Sequence, residues 1–173
     1  SSTAQHGCRF EREWNTMKNY LISALVNNHF GVLTRISGLF ARRGYNIKSL
    51  TVGETENSAV SRMTIEFFGD EHTLGQIKKQ LSKVVDVISV TELTDAVARE
   101  LFLVKVRADD TNRETVKGVA EIFKAKIVDV CPECLIFEIS GEESKLRAFF
   151  DMMRTYGVIE VARTGITALQ RGI

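Results

Sequence analysis

One pattern of strands and helices runs through this chain twice, and it constrains the fold more than any single motif does. Tyr20, Ile22, Ala24 and Val26 alternate with Leu21, Ser23 and Leu25, the period-two signature of a strand with one buried face. Val32, Leu33, Ile36, Leu39 and Phe40 then fall on one face of a helix, and Gly44 supplies its stop. Leu50 and Val52 begin a second strand, Glu54 to Ser58 makes a polar turn, and Met63, Ile65 and Phe67 alternate in a third. Asp70 can cap a helix with apolar positions at Leu74, Ile77, Leu81 and Val84. Val87, Ile88 and Val90 close the unit as a strand, so the order is βαββαβ.

After Thr94 to Ala98 the same order returns. Phe102, Val104 and Val106 form a strand, and Thr111 with Glu114 reads as a capping box before a helix lined by Val116, Val119, Ala120 and Phe123. Ile127 to Val130 and Leu135 to Ile139 are short strands around a turn. Ser140 with Glu143 reads as another capping box, ahead of Leu146, Phe149, Phe150 and Met153 on a helical face, and Val158 to Val161 is the last strand. The fold class this order favours is α+β, with two ferredoxin-like βαββαβ units, each carrying two helices on one face of a four-stranded antiparallel sheet. One continuous doubly wound sheet is the alternative, and it would want more single-helix crossovers and fewer hairpins. The units occupy residues 17–94 and 95–173. Units this short gain from extra burial, and a four-stranded sheet leaves two edges and one face open, so pairing between copies is expected.

Charge and composition exclude several functions. The 173 residues carry 23 basic and 22 acidic side chains, a formal net charge of +1, which disfavours a nucleic-acid partner. No apolar run approaches the roughly 20 residues of a membrane span, and 44% hydrophobic residues supply a real core. The expectation is a soluble cytoplasmic protein. Residues 1–16 mix Cys8, Phe10 and Trp14 with charges and show no clear period, so they are read as an extension outside the fold, disordered or an expression remnant.

The stretch Asn28-His29-Phe30-Gly31-Val32-Leu33 places an amide side chain and a glycine at the start of an amphipathic helix, directly after a strand. Free N–H groups and the positive end of a helix dipole suit a carboxylate there, and Gly31 lets a ligand approach the backbone. Asn28 both donates and accepts, which matches a ligand carrying a carboxylate and an ammonium together. The plainer reading of Asn28 and Gly31 is a turn and helix cap; that of Gly44 is a helix C-cap.

Cys131-Pro132-Glu133-Cys134 can be half a zinc site or a redox pair, but it sits in an expected turn between strands and no second close pair exists. The expectation is a structural hairpin with incidental thiols and no metal. Neither a nucleophile turn with a Ser/His/Asp order nor a phosphate loop of the GxxxxGK type occurs, and His29 and His72 read as surface histidines.

Nearly the whole chain from Met17 resembles the small, regulatory subunits of acetohydroxyacid synthase, also called acetolactate synthase. The resemblance is carried by Asn28 to Leu33, by Gly38 to Val52, by Ser61-Arg62-Met63-Thr64-Ile65 and by Gly69-Asp70-Glu71. Gln80 to Val87, Leu103 to Val106, Ile127 to Val130 and Glu160 to Gly165 add to it. It implies that the first unit is an ACT domain, an amino-acid sensor of ferredoxin-like fold, and the second the family's C-terminal domain. It implies a subunit with no active site of its own, which activates a separate catalytic large subunit and confers feedback inhibition by a branched-chain amino acid, first of all valine. Thiamine diphosphate, magnesium and FAD are then expected on that large subunit and no cofactor on this chain. By the same resemblance the effector lies between two ACT domains of a homodimer. One chain supplies Asn28, Gly31, Val32 and Leu33, with Asn28 and the helix-start amides on the carboxylate; the other supplies Asn46 and Ile47. A stand-alone ACT sensor with another target, and a small metal or redox protein built on Cys131 and Cys134, are the competing readings.

Overall fold

The computed structural model describes residues 17–173; the expectation for residues 1–16 lies outside the described residues. Among the described residues, those up to Ala96, together with Ala168–Ile173, form one compact unit and Val97–Thr167 a second, so the division falls where the strand opening the second repeat begins.

In the first unit the order is β1 (Lys18–Asn27), α1 (Val32–Arg43), β2 (Ile47–Glu54), β3 (Val60–Gly69), α2 (Glu71–Ser82) and β4 (Val87–Glu92). The sheet runs β2-β3-β1-β4 with antiparallel pairings throughout. Ile22 stands opposite Ile65 and Ala24 opposite Met63. The alternation read from β1 therefore meets an equal alternation on β3, and one face of the sheet is apolar. Val32, Ile36 and Phe40 of α1 and Leu74, Ile77 and Leu81 of α2 close over that face in one buried cluster with Tyr20, Ile22, Ala24, Val26, Met63, Ile65 and Phe67. Both helix ends marked in the sequence are real. Gly44 adopts the left-handed conformation that ends α1, and Asp70 Oδ1 accepts the Thr73 N–H at 2.7 Å to open α2.

The second unit repeats the arrangement with β5 (Ala96–Arg107), α3 (Arg113–Ile122), β6 (Lys126–Cys131), β7 (Cys134–Gly141), α4 (Glu143–Arg154) and β8 (Val158–Arg163) in the sheet order β6-β7-β5-β8. A ninth strand, β9 (Thr167–Gln170), follows β8 in the chain and carries no sequence signal of its own. Phe102, Val104 and Val106 of β5 and Leu135, Phe137 and Ile139 of β7 share a core with Val116 and Ala120 of α3 and Leu146, Phe149 and Met153 of α4.

Neither expected capping box forms. Asn112 occupies the N-cap of α3, so Glu114 falls in the first turn, where Lys117 meets it. Thr111 instead donates its backbone N–H to Asp109 Oδ1 in the preceding turn. Ser140 lies inside β7, and Glu142 holds the N-cap of α4 with no side-chain cap. At Ser140 the β5–β7 ladder runs on to Gly141, past the expected cap; at Thr111 the turn held by Asp109 does so.

Candidate functional site

β1 delivers Asn28 to one end of the first unit, where the Asn28 N–H donates to the Ala59 carbonyl at 2.8 Å and ties the strand end to the β2–β3 hairpin. The chain then turns through His29, Phe30 and Gly31 into α1. Gly31 is the N-cap residue, with φ 87°, and makes no side-chain cap. A residue with a Cβ is strained at that φ, so glycine is needed here for the turn as much as for access. The first turn of α1 carries no acidic side chain. Its amides reach back only through Val32 N–H to the His29 carbonyl, at 3.4 Å, and Arg35 N–H to the Gly31 carbonyl, at 3.0 Å. Open donors at a positive dipole end form a place for an anion such as an α-carboxylate.

The structure changes the expected roles of two residues. Val32 is buried in the core at 4% exposure, so its isopropyl group packs inward among the core side chains. Leu33, exposed at 47%, is the apolar side chain that α1 presents at this end. Asn28 is not a free donor either. Its Nδ2 donates to Glu54 Oε1 at 3.2 Å and to the Ser58 carbonyl at 2.9 Å, both from the β2–β3 hairpin. In the sequence Glu54 and Ser58 read only as the two ends of a polar turn. No local signal marks them, because they meet Asn28 only when the sheet forms. Asn46 and Ile47 sit beyond the other end of α1, a helix that spans about 18 Å, so one chain does not bring them to Asn28. Asn46 is exposed, while Ile47 is half-buried against the core.

A second cluster lies in the second unit. Cys131 and Cys134 face each other across the β6–β7 turn and form a disulfide, so they are not the incidental thiols expected. Arg113 Nη2 donates to the carbonyls of Cys131 at 2.7 Å, Pro132 at 2.6 Å and Ala108 at 2.9 Å, which ties that turn to the start of α3. Among the described residues, no group of three or more His, Cys, Asp or Glu could hold a metal ion, and no helix is long and apolar enough to cross a membrane.

Comparison with known proteins accounts for both units. Residues 22–89 match the family model described as the AHAS (acetohydroxyacid synthase) small subunit-like ACT domain, and residues 99–172 match the one described as the small subunit of acetolactate synthase. A probable acetolactate synthase small subunit of Archaeoglobus fulgidus is 48% identical over 88% of this chain and 97% of its own length. The chain belongs to the acetolactate synthase small-subunit family. Within it, the isozyme 3 small subunit of Salmonella typhimurium is 46% identical over 88% of this chain and 95% of its own. The crystal structure of the Thermotoga maritima small subunit superposes with a TM-score of 0.83 at 43% identity, covering 90% of this chain and 99% of that one. The two βαββαβ units are therefore the fold of this family, and the end of the first unit that holds Asn28 and Gly31 is an end of its ACT domain.

Proposed function

We propose that the chain is the regulatory subunit of an acetohydroxyacid synthase, which activates a separate catalytic subunit and makes it sensitive to a branched-chain amino acid, valine first. The observation that carries the reading is the uncapped start of α1 beside Asn28, at one end of a domain matched as a small-subunit ACT domain. Thiamine diphosphate, magnesium and FAD belong, in this reading, to the catalytic subunit. The open backbone N–H groups of Gly31 and Leu33 take the effector's carboxylate, with the Val32 N–H, held at 3.4 Å by the His29 carbonyl, between them, and Asn28 takes part of its polar head. Leu33 lies against the branched side chain, with Asn46 and Ile47 of the partner subunit closing the site across a homodimer. A single chain cannot complete that site, since its own Asn46 lies beyond the far end of α1.

Apolar pockets separate ligands that differ by one methylene by only about 1–3 kcal/mol, so leucine and isoleucine are expected to compete with valine. The test is isothermal titration of the protein with valine, leucine, isoleucine and glycine, followed by reconstitution with the catalytic subunit. Saturable valine binding, lost in Asn28→Ala, together with stimulation of acetolactate formation, is the expected result. Binding without any stimulation points instead to a sensor acting on another target. Absence of binding to both the free chain and the reconstituted complex removes the effector site.

A further inference from the structure

Glu54, the last residue of β2, stands against Asn28, and the inference drawn from that contact rests on the effector site proposed above. Both hydrogens of the Asn28 amide nitrogen have partners, Glu54 Oε1 at 3.2 Å and the Ser58 carbonyl at 2.9 Å. An ionised carboxylate and a carbonyl only accept hydrogen bonds, so together they dictate which end of the carboxamide is nitrogen. Oδ1 is then the one polar atom of the Asn28 side chain left to meet a ligand. An oxygen accepts and cannot hold a carboxylate, but it suits an ammonium. The carboxylate of an α-amino acid is left to the open N–H groups of α1, which follow Asn28 within one turn of chain.

We infer that Glu54 is the positioning and specificity residue of this site. Its carboxylate holds Asn28 with the oxygen outward, and its negative charge favours a cationic group where that oxygen accepts. The consequence is discrimination at the α-substituent: an α-amino acid is preferred over the α-hydroxy acid of the same carbon skeleton. Glutamine at position 54 keeps an acceptor for Asn28 but loses the charge; alanine loses both.

The experiment is calorimetric titration of valine and of 2-hydroxyisovalerate, which replaces the ammonium by a hydroxyl, into the unsubstituted protein, Glu54→Gln, Glu54→Ala and Asn28→Ala. Glu54 is exposed near the hairpin tip, so both of its variants are expected to keep the far-ultraviolet circular dichroism of the parent. Glu54→Gln is expected to weaken valine by about threefold to tenfold and leave the hydroxy acid unchanged, so that the preference between them falls by the same factor. Glu54→Ala is expected to lose more. An unchanged preference in Glu54→Gln, with valine binding that still depends on Asn28, overturns the inference and leaves the effector site standing. Tighter valine binding in Glu54→Gln also overturns it, since Glu54 then competes with the ligand's carboxylate. No valine binding to the unsubstituted protein overturns the effector site itself and this inference with it.

Discussion

Arg163 closes on Glu100 with two parallel hydrogen bonds, Nε to Oε1 and Nη2 to Oε2, each 3.1 Å long. The two residues sit on β8 and β5, and the same carboxylate accepts the Gly165 N–H at 3.2 Å, which fixes the bend that follows β8. The guanidinium also lies 4.7 Å from the centre of the Phe102 ring. The pair is unequal, since the Glu100 side chain is 2% exposed and that of Arg163 is 48% exposed.

That asymmetry makes the two truncations differ. Arg163→Ala leaves a buried carboxylate with one remaining donor, which is costly, although the exposed guanidinium moderates the loss. The expected cost is about 2 kcal/mol in urea unfolding. Arg163→Lys is expected to recover only part, because an ammonium cannot make the paired contact. Equal stability of Arg163→Ala and the parent would show that water serves Glu100 equally well.

Two glycines in the first unit answer oppositely to alanine. A Cβ at Gly31 would meet nothing within 4 Å, yet its φ of 87° is strained for any other residue. Gly31→Ala is expected to lose about 1–2 kcal/mol through the backbone alone. Gly75 lies in the body of α2 and also has nothing within 4 Å of an added Cβ, with an ordinary φ. Gly75→Ala is expected to gain about 0.5–1 kcal/mol. Denaturant midpoints of the two variants check both signs. Loss of valine binding in a Gly31 variant therefore counts as a site effect only when the variant is shown to be folded.

Asp70 gives α2 a pH dependence of known sign. The hydrogen bonds from the Thr73 backbone and side chain hold its carboxyl below the usual value. A group depressed in the folded state contributes above its unfolded pKa, and the contribution fades as the pH falls through the folded one. Asp70→Asn, which still caps but does not titrate, is expected to flatten the acid side of the stability profile. Thermal melts between neutral pH and pH 3 compare the two proteins. An unchanged acid slope in Asp70→Asn would assign the acid sensitivity to other carboxylates.

The Cys131–Cys134 disulfide closes a loop with a sequence separation of three, and short loops gain little from cross-linking. Reduction, or Cys131→Ser with Cys134→Ser, is expected to cost at most about 2 kcal/mol. The Arg113 hydrogen bonds to the Cys131 and Pro132 carbonyls are expected to persist in the reduced turn. Unfolding followed with and without dithiothreitol, with alkylation to count thiols, measures the cost. Collapse of the second unit on reduction would show that the disulfide, not Arg113, holds the turn.

The features that the sequence determined are local or periodic. Alternation at Tyr20 to Val26 and Phe102 to Val106, and helical spacing at Ile36 and Phe40, identify the core faces because burial selects residues at the repeat of the element. Gly44 and Asp70 act within one turn of their own position, so their caps were readable too. The expected cap at Ser140 failed because β7 runs on to Gly141 in its ladder with β5, and that at Thr111 because Asp109 takes both its N–H and its hydroxyl. Only the tertiary structure decided that Val32 belongs to the core and Leu33 to the surface. It alone set Glu54 against Asn28, 26 residues away in sequence, and Arg163 against Glu100, 63 residues away. Their meeting depends on strand order and register, and those are properties of the assembled sheets rather than of any stretch of chain.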